Sequence, residues 1–182
     1  MSKVVKEQLW DAGKMQAAIL SLAKAIAARP SGIASLGIIG IRTRGEFLGR
    51  RIAGHIADTS GAPVNFGTVD VTFHRDDFRT HLPTPEVGPS NIPFGVDDLH
   101  LILVDDVLYT GRTVRAAINN IMDFGRPASI ELAVLVDRGG RELPIRANYI
   151  GLDHPAADNE HIHVHVAEVD GMDEVLLLDY SS

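Results

Sequence analysis

The chain has 182 residues, 45% of them hydrophobic and 23% charged, with a formal net charge of −7, which bounds it to one ordinary globular domain with room for a proper core. It has no cysteine, so disulfides, thiolate metal sites and cysteine nucleophiles are excluded. The acidic balance argues against a generally basic nucleic-acid binder but leaves room for a local basic patch; with no apolar run of bilayer length and no signal peptide, the expected compartment is the cytoplasm.

The residues 11–28 carry Met15, Ile19, Leu22 and Ile26 at spacings of three and four, with Asp11 as N-cap and Pro30 beyond the end, which predicts an amphipathic helix. Residues 36–41 form a short apolar strand. The loop Arg42-Thr43-Arg44-Gly45 follows and opens a helix running to Asp58. Two arginines and a glycine at the C-terminal end of a strand suit an anion. A guanidinium meets phosphate oxygens bidentately, and Gly45 permits tight approach at the helix start. Within 64–73, Val69, Val71 and Phe73 face one way, which predicts a strand. His74-Arg75-Asp76-Asp77 ends it. Residues 78–95 hold four prolines and no periodicity, a loop of the length that is functional or mobile in a compact domain.

The centre of the chain is Leu101-Ile102-Leu103-Val104-Asp105-Asp106-Val107-Leu108-Tyr109-Thr110-Gly111-Arg112-Thr113. Four apolar residues read as a buried strand with two carboxylates at its C-terminal end. A Thr-Gly-Arg-Thr turn then opens a helix over 113–124, with Val114, Ala117, Ile118 and Ile121 on one face and Gly125 and Pro127 closing it. In an open parallel sheet, ligands sit outside the carboxyl ends of the strands. The turn offers backbone N–H groups at a helix N-terminus, which favour phosphate. Gly111 lets the backbone come close, and the hydroxyls of Thr110 and Thr113 add donors. Asp105 and Asp106 repel phosphate and suit sugar hydroxyls. A phosphate beside a diol describes a ribose 5-phosphate group.

Residues 130–136 form a second buried strand, so strand and helix alternate through the middle of the chain. That predicts an α/β fold, an open and mostly parallel sheet flanked by helices. The lysines all lie in the first 24 residues, and no Lys or Arg follows Arg146. The anion-binding capacity therefore sits in the middle, and without a lysine there a Walker-type loop is excluded. Beyond Leu152, His161, His163 and His165 alternate. Three imidazoles on one strand face suit a metal, yet no acid pattern supports it, and an exposed strand face is the reading adopted. Residues 174–180 read as a closing strand.

The stretch 101–113 is similar to the phosphoribosyl pyrophosphate (PRPP) signature of type I phosphoribosyltransferases. With Arg42 to Gly45, His74 to Asp77, and Val134-Leu135-Val136-Asp137-Arg138-Gly139-Gly140-Arg141-Glu142-Leu143-Pro144-Ile145-Arg146-Ala147-Asn148-Tyr149-Ile150, the chain resembles the bifunctional pyrimidine operon regulator and uracil phosphoribosyltransferase family. The likeness runs over 36–150 and separates it from adenine, hypoxanthine and orotate transferases.

That resemblance implies a type I phosphoribosyltransferase fold in a single domain over 1–182, with a flexible lid loop at 74–95. A small base-binding hood is expected at 137–155 together with the C-terminal strands. It implies a pentosyl transfer, uracil plus PRPP giving UMP plus diphosphate. Asp105, Asp106, Val107, Leu108, Tyr109, Thr110, Gly111, Arg112 and Thr113 would bind PRPP and its 5-phosphate. Arg42, Thr43, Arg44, Gly45 and Arg75, with Arg79 beside it, would bind the pyrophosphate, on a loop that often carries a non-proline cis peptide in such families. Val136, Asp137 and Arg138 would hold uracil, largely through backbone hydrogen bonds. Asp105, Asp106, Arg75 and Arg44 are the expected catalytic set. Mg²⁺ is expected to be bound through PRPP oxygens, with no direct side-chain ligand. Purine transferases often place an acid where Tyr109 stands here. A phenol is a poor general base at neutral pH, so no dedicated base is assigned.

A second activity is implied, binding of the leader of pyrimidine messenger RNA (transcription attenuation), promoted by UMP or UTP. The expected face comprises Lys24, Arg29, Arg141 and Arg146, doubled in a homodimer or higher homo-oligomer. Gly140 stands where the family commonly has a polar or basic residue. Two alternatives stay open at this point: a salvage enzyme without RNA binding, and a non-catalytic PRPP or nucleotide sensor.

Overall fold

The computed structural model describes residues 2–71 and 89–181. In chain order the elements are β1 (Ser2–Trp10), α1 (Ala12–Ala27), β2 (Leu36–Ile41), α2 (Arg44–Ser60), β3 (Asn65–Val69), β4 (His100–Leu108), α3 (Arg112–Met122), β5 (Ser129–Asp137), β6 (Tyr149–Asp153), β7 (Glu160–His165), α4 (Ala167–Asp170) and β8 (Glu174–Ser181). Five strands form a parallel sheet in the order β3-β2-β4-β5-β6, and three form an antiparallel sheet in the order β1-β8-β7. The expected architecture is therefore present, an open parallel sheet with helices and a small hood sheet. Among the described residues no helix is long and apolar enough to cross a membrane.

Successive side chains of a strand point to opposite faces, and a parallel sheet is covered on both. Ile38, Ile102, Val104 and Leu135 face α1 and α2, meeting Met15, Ile19, Leu22, Ile26, Leu48, Ile52 and Ile56. Their neighbours Ile39, Leu101, Leu103 and Val134 face the other way and meet Val114, Ala117 and Ile121 of α3. The helical stripe read in 11–28 is thus the buried stripe of α1. Its predicted cap is present: Asp11 Oδ1 accepts the Lys14 N–H at 2.8 Å. Ile162, Val164, Val175 and Leu177 of the hood join the same core as α1 and α2, which fixes the small sheet against the large one.

Two expectations are corrected. The acidic pair does not follow β4 but lies within it: the strand runs on to Leu108, with Asp105 opposite Val134 and Val107 opposite Val136. The ladder to β5 continues past the acids because parallel pairing uses backbone groups and ignores side-chain polarity. Residues 149–153 pair with β5 in the large sheet, so the small sheet takes no strand from 137–155. It takes β1 instead, a strand the sequence did not announce. Val4 and Val5 are 54% and 57% exposed, and β1 pairs with β8 through two irregularities of register. An exposed, bulged edge strand has no clean two-residue alternation to detect.

The described part of β3 ends at Val69. Phe73, His74 to Asp77, Arg79 and most of the predicted lid lie outside the described residues. The chain after that segment is tied to the sheet: Thr68 and Asn91 exchange both backbone hydrogen bonds at 2.8 Å. Ser90 Oγ accepts the Asp70 N–H at 3.1 Å and donates to Asn120 Oδ1 at 2.8 Å.

Candidate active site

The C-terminal ends of β2, β4 and β5 bring three segments together. At β4, Asp105 and Asp106 are 3% and 7% exposed, and the Asp106 N–H donates to Asp105 Oδ1 at 2.9 Å. The turn that follows is held from behind. The Thr110 carbonyl accepts the N–H groups of Glu142 and Leu143 at 3.0 and 3.1 Å. Gly111 has φ +91°, and a Cβ there would stand 3.3 Å from Ile145, so this position requires glycine both for its backbone and for the close packing beneath it. Gly111 caps α3 without a side-chain cap. The first helical bond runs from the Arg115 N–H to the Gly111 carbonyl at 2.9 Å, which leaves the preceding amides at the helix mouth. Thr110 Oγ1 accepts the Arg112 N–H at 3.2 Å. That hydroxyl thus organises the turn.

At β2, the Arg42–Thr43 peptide is cis, as the resembled families often have it. Arg42 pairs with Glu46 at 3.3 Å, and Arg44 pairs with Asp170 at 2.8 Å. Gly45 packs on β4: a Cβ there would lie 2.5 Å from the Val104 carbonyl oxygen and 3.1 Å from Asp105 Cα. Gly45 is thus also required for close packing on the strand that carries the acidic pair.

At β5, the Asp137 side chain accepts the Gly139 N–H at 3.0 Å and pairs with Arg141. Arg138 is 5% exposed, lies 3.9 Å over the Tyr109 ring and donates to the Ala157 carbonyl at 3.2 Å. The carbonyls of Asp137 and Arg138 already accept the N–H groups of His154 and Ala156 at 2.9 and 3.0 Å, and the Arg138 N–H donates to the Leu108 carbonyl at 3.1 Å. These bonds stitch β5 to its neighbours, and each of the two carbonyls keeps a second lone pair. Tyr109 is enclosed, with Arg138 over its ring and Gly140 against Cε2, where a Cβ would come within 2.5 Å.

Two members of the expected RNA face are also corrected. Arg29 is 9% exposed, and its Nη2 donates to Glu131 Oε1 at 2.8 Å, with the Tyr149 hydroxyl on the other oxygen at 2.7 Å. Burial, then Glu131, push the Tyr149 phenol up to about 12. Arg141 donates from Nη1 to the carbonyls of Tyr109 and Gly139 at 2.6 and 3.1 Å, from Nε to that of Ile145 at 3.1 Å, and from Nη2 to Asp137. A cation surrounded by its own chain's acceptors is a brace. The sequence signal for Arg141 was its place in a Gly-Gly-Arg loop, which only says that a cation stands near a turn. Lys24 and Arg146 are exposed.

His161, His163 and His165 lie along β7. The His161 ring packs at a tilt of 53° against Tyr180 with centroids 4.3 Å apart, His163 Nε2 is 3.4 Å from the Tyr180 hydroxyl, and His165 Nδ1 is 2.9 Å from Glu174. Among the described residues no three His, Asp or Glu side chains converge as for a metal. Asp105 and Asp106 present hard carboxylate oxygens at the strand end, the donor type that suits Mg²⁺ shared with a phosphorylated ligand. Sequence reasoning missed Asp170, which a residue-by-residue reading of a tail rich in acids does not single out. Arg75 and Arg79 lie outside the described residues.

Residues 6–170 match the phosphoribosyl transferase domain family. The chain is 45% identical over 174 residues to the bifunctional protein PyrR of Pelotomaculum thermopropionicum, covering 96% of each chain. It is 45% identical over 174 residues to the bifunctional protein PyrR of Clostridioides difficile, covering 96% of this chain and 98% of that one. Among solved structures it is similar to the hypoxanthine phosphoribosyltransferase of Trypanosoma cruzi, with TM-score 0.70 and 17% identity over 97% of this chain and 98% of that one. The HGPRT-ase of Leishmania tarentolae in complex with GMP gives TM-score 0.72 and 19% identity over the same shares, 97% and 98%. At such identities the structural likeness speaks for the fold alone.

Proposed function

This chain belongs to the bifunctional PyrR family of phosphoribosyltransferases, and from that premise we infer that it joins uracil to the ribose 5-phosphate of PRPP, releasing diphosphate, and binds pyrimidine leader RNA. The observation that carries the catalytic half is the arrangement at the end of β4. A buried acidic pair stands beside the N-terminus of α3, where the cap residue Gly111 has no side chain and the Thr110 hydroxyl holds only the Arg112 amide.

Uracil N1 attacks ribose C1 as the bond to the diphosphate oxygen breaks, through a transition state with oxocarbenium character. The amides and hydroxyls of Thr110 to Thr113 anchor the 5-phosphate. Asp105 and Asp106 take the 2′ and 3′ hydroxyls, and their charge stabilises the cationic ring. Val107 and Leu108 carry the chain from the acids to the turn. Arg42, Thr43, Arg44 and Gly45, with Arg75, receive the leaving diphosphate. Mg²⁺, when held chiefly by PRPP beside the Asp105 and Asp106 carboxylates, would supply further neutralisation of that charge. Val136, Asp137 and Arg138 line the base side, with Tyr109 closing it. Uracil's N–H is itself fairly acidic, so a strong protein base is not required.

The regulatory half follows from one pocket serving both roles. A product that binds there shifts the RNA equilibrium by its differential affinity for the two states. Lys24 and Arg146 are the cations exposed to meet RNA, and a homodimer would double them.

Turnover of radiolabelled uracil with PRPP, against adenine, hypoxanthine and orotate, tests base choice and activity together. Uracil alone is expected to react. Filter binding of the leader RNA at stated salt, with and without UMP, tests regulation, and UMP is expected to tighten binding. No turnover with any base would leave a nucleotide sensor. No effect of UMP would leave a salvage enzyme.

A further inference from the structure

The connection from β5 to β6 folds back behind the turn that follows β4, and it occupies the carbonyls of that turn one after another. The Leu108 carbonyl accepts the Arg138 N–H at 3.1 Å and Arg141 Nη1 at 3.3 Å. The Tyr109 carbonyl accepts the same Nη1 at 2.6 Å. The Thr110 carbonyl accepts the N–H groups of Glu142 and Leu143 at 3.0 and 3.1 Å. Arg141 is itself fixed from other sides. Asp137, the last residue of β5, takes Nη2, and the Ile145 carbonyl takes Nε at 3.1 Å. The Arg141 and Asp137 side chains are 23% and 13% exposed, so water shields this brace only in part.

A trans peptide is planar, and its N–H points away from its C=O. Carbonyls of Leu108, Tyr109 and Thr110 that are turned back onto the β5–β6 connection therefore direct the N–H groups of Tyr109, Thr110 and Gly111 to the opposite side of the turn. We propose that Arg141 is a positioning residue for the 5-phosphate: by holding the Leu108 and Tyr109 carbonyls it sets the tilt of the peptide planes at the start of the phosphate turn. The proposal rests on the reading of Thr110 to Thr113 as that turn, given above. Arg141 acts through the backbone and not by contact with the ligand. Donors already aimed at an arriving charge need no reorganisation, whereas a loosened turn must be ordered on binding, which weakens affinity. A planar guanidinium suits the task, because its diverging N–H groups serve a carboxylate and several carbonyls at once.

The test uses the full chain and calorimetry, which needs no turnover. UMP and uridine share base and ribose and differ by the phosphate, so the ratio of their dissociation constants reports on the turn. We expect Arg141→Gln to weaken UMP about tenfold, to leave uridine unchanged, and to raise the KM for PRPP by a similar factor. Arg141→Lys keeps a cation beside Asp137 but lacks the planar fork. It is the second variant should the first fail to fold, and it is expected to weaken UMP about threefold. Arg29→Gln removes a different buried arginine brace, the one on Glu131, and serves as the structural control. It is expected to lower the melting temperature and leave the ratio alone. Unchanged UMP binding in the Arg141 variants, equal weakening of uridine and UMP, or the same change of ratio in Arg29→Gln would each overturn the assignment. Thr113→Val separates this proposal from the reading beneath it. Weaker UMP binding in Thr113→Val with none in Arg141→Gln would sink the role of Arg141 and leave the turn standing. A wild-type protein that bound uridine as tightly as UMP would remove the phosphate turn, and the role of Arg141 with it.

Discussion

Tyr109 and Asp106 stand three residues apart and differ in what their side chains do. The Tyr109 ring is fixed by Arg138 over one face and by Gly140 at its edge, contacts that do not use the hydroxyl. Asp106 is 7% exposed near the strand end, where the proposed function sets its charge against the ribose. Tyr109→Phe is therefore expected to keep most uracil turnover, and Asp106→Asn to lose about 100-fold or more in kcat. Equal collapse of both in a steady-state assay would contradict the roles. Two glycines of α2 offer a second contrast. Gly45 abuts the Val104 carbonyl at 2.5 Å from a built Cβ, whereas Gly54 has nothing within 4 Å. Gly45→Ala should destabilise by about 1–3 kcal/mol and displace the loop that carries Arg42 and Arg44. Gly54→Ala should stabilise by about 0.5–1 kcal/mol, since glycine is poor in a helix interior. Denaturant titration measures both. At this scale the acids, the turn and the two-arginine loop were legible in sequence, because local chemistry betrays them. Asp170 was not, since its partner stands 126 positions away.

Elements are joined by the clamp between α2 and α4. The Arg51 guanidinium is held well above its usual range, first by its hydrogen bond to Asp173. Hydrogen bonding to Arg51 is the main influence that draws the Glu168 carboxyl below its usual range. Burial pushes Asp173 up, but its bonds to Arg51 and the Ala167 N–H outweigh that and leave it lowered. A carboxyl lowered in the fold contributes its stability in full above its unfolded value of about 4, and loses it as pH falls through the folded value. Arg51→Met should thus melt below wild type by a steady margin from about pH 8 to about pH 5, and the margin should close on further acidification. Thermal melts across that range check it. A margin that widened in acid would contradict the sign. The helices themselves were legible from periodicity and caps, as Asp11 and Met15 to Ile26 illustrate. Strands β1 and β6 were not. The first is exposed along most of its length, and the second is a five-residue edge of mixed burial.

The whole molecule carries a net charge of −7, so RNA affinity must come from a few exposed cations rather than from the overall field. With Arg29 and Arg141 turned inward, Lys24 and Arg146 remain of the expected face. Replacing both with Gln should reduce the slope of log affinity against log salt by about 2 per protomer, with uracil turnover unchanged. Filter binding over a salt series measures the slope, and an unchanged slope would move the RNA surface elsewhere. The sequence by itself determined the fold class, the acidic pair with its Thr-Gly-Arg-Thr turn, the two-arginine loop and the family, because these are written in short segments whose chemistry is local. Only the tertiary structure decided which arginines are braces and which are surface, that β1 completes the hood, and that Asp170 reaches Arg44. Those are long-range pairings, set by how the two sheets pack around one core, and no local pattern encodes where a distant carboxylate will land.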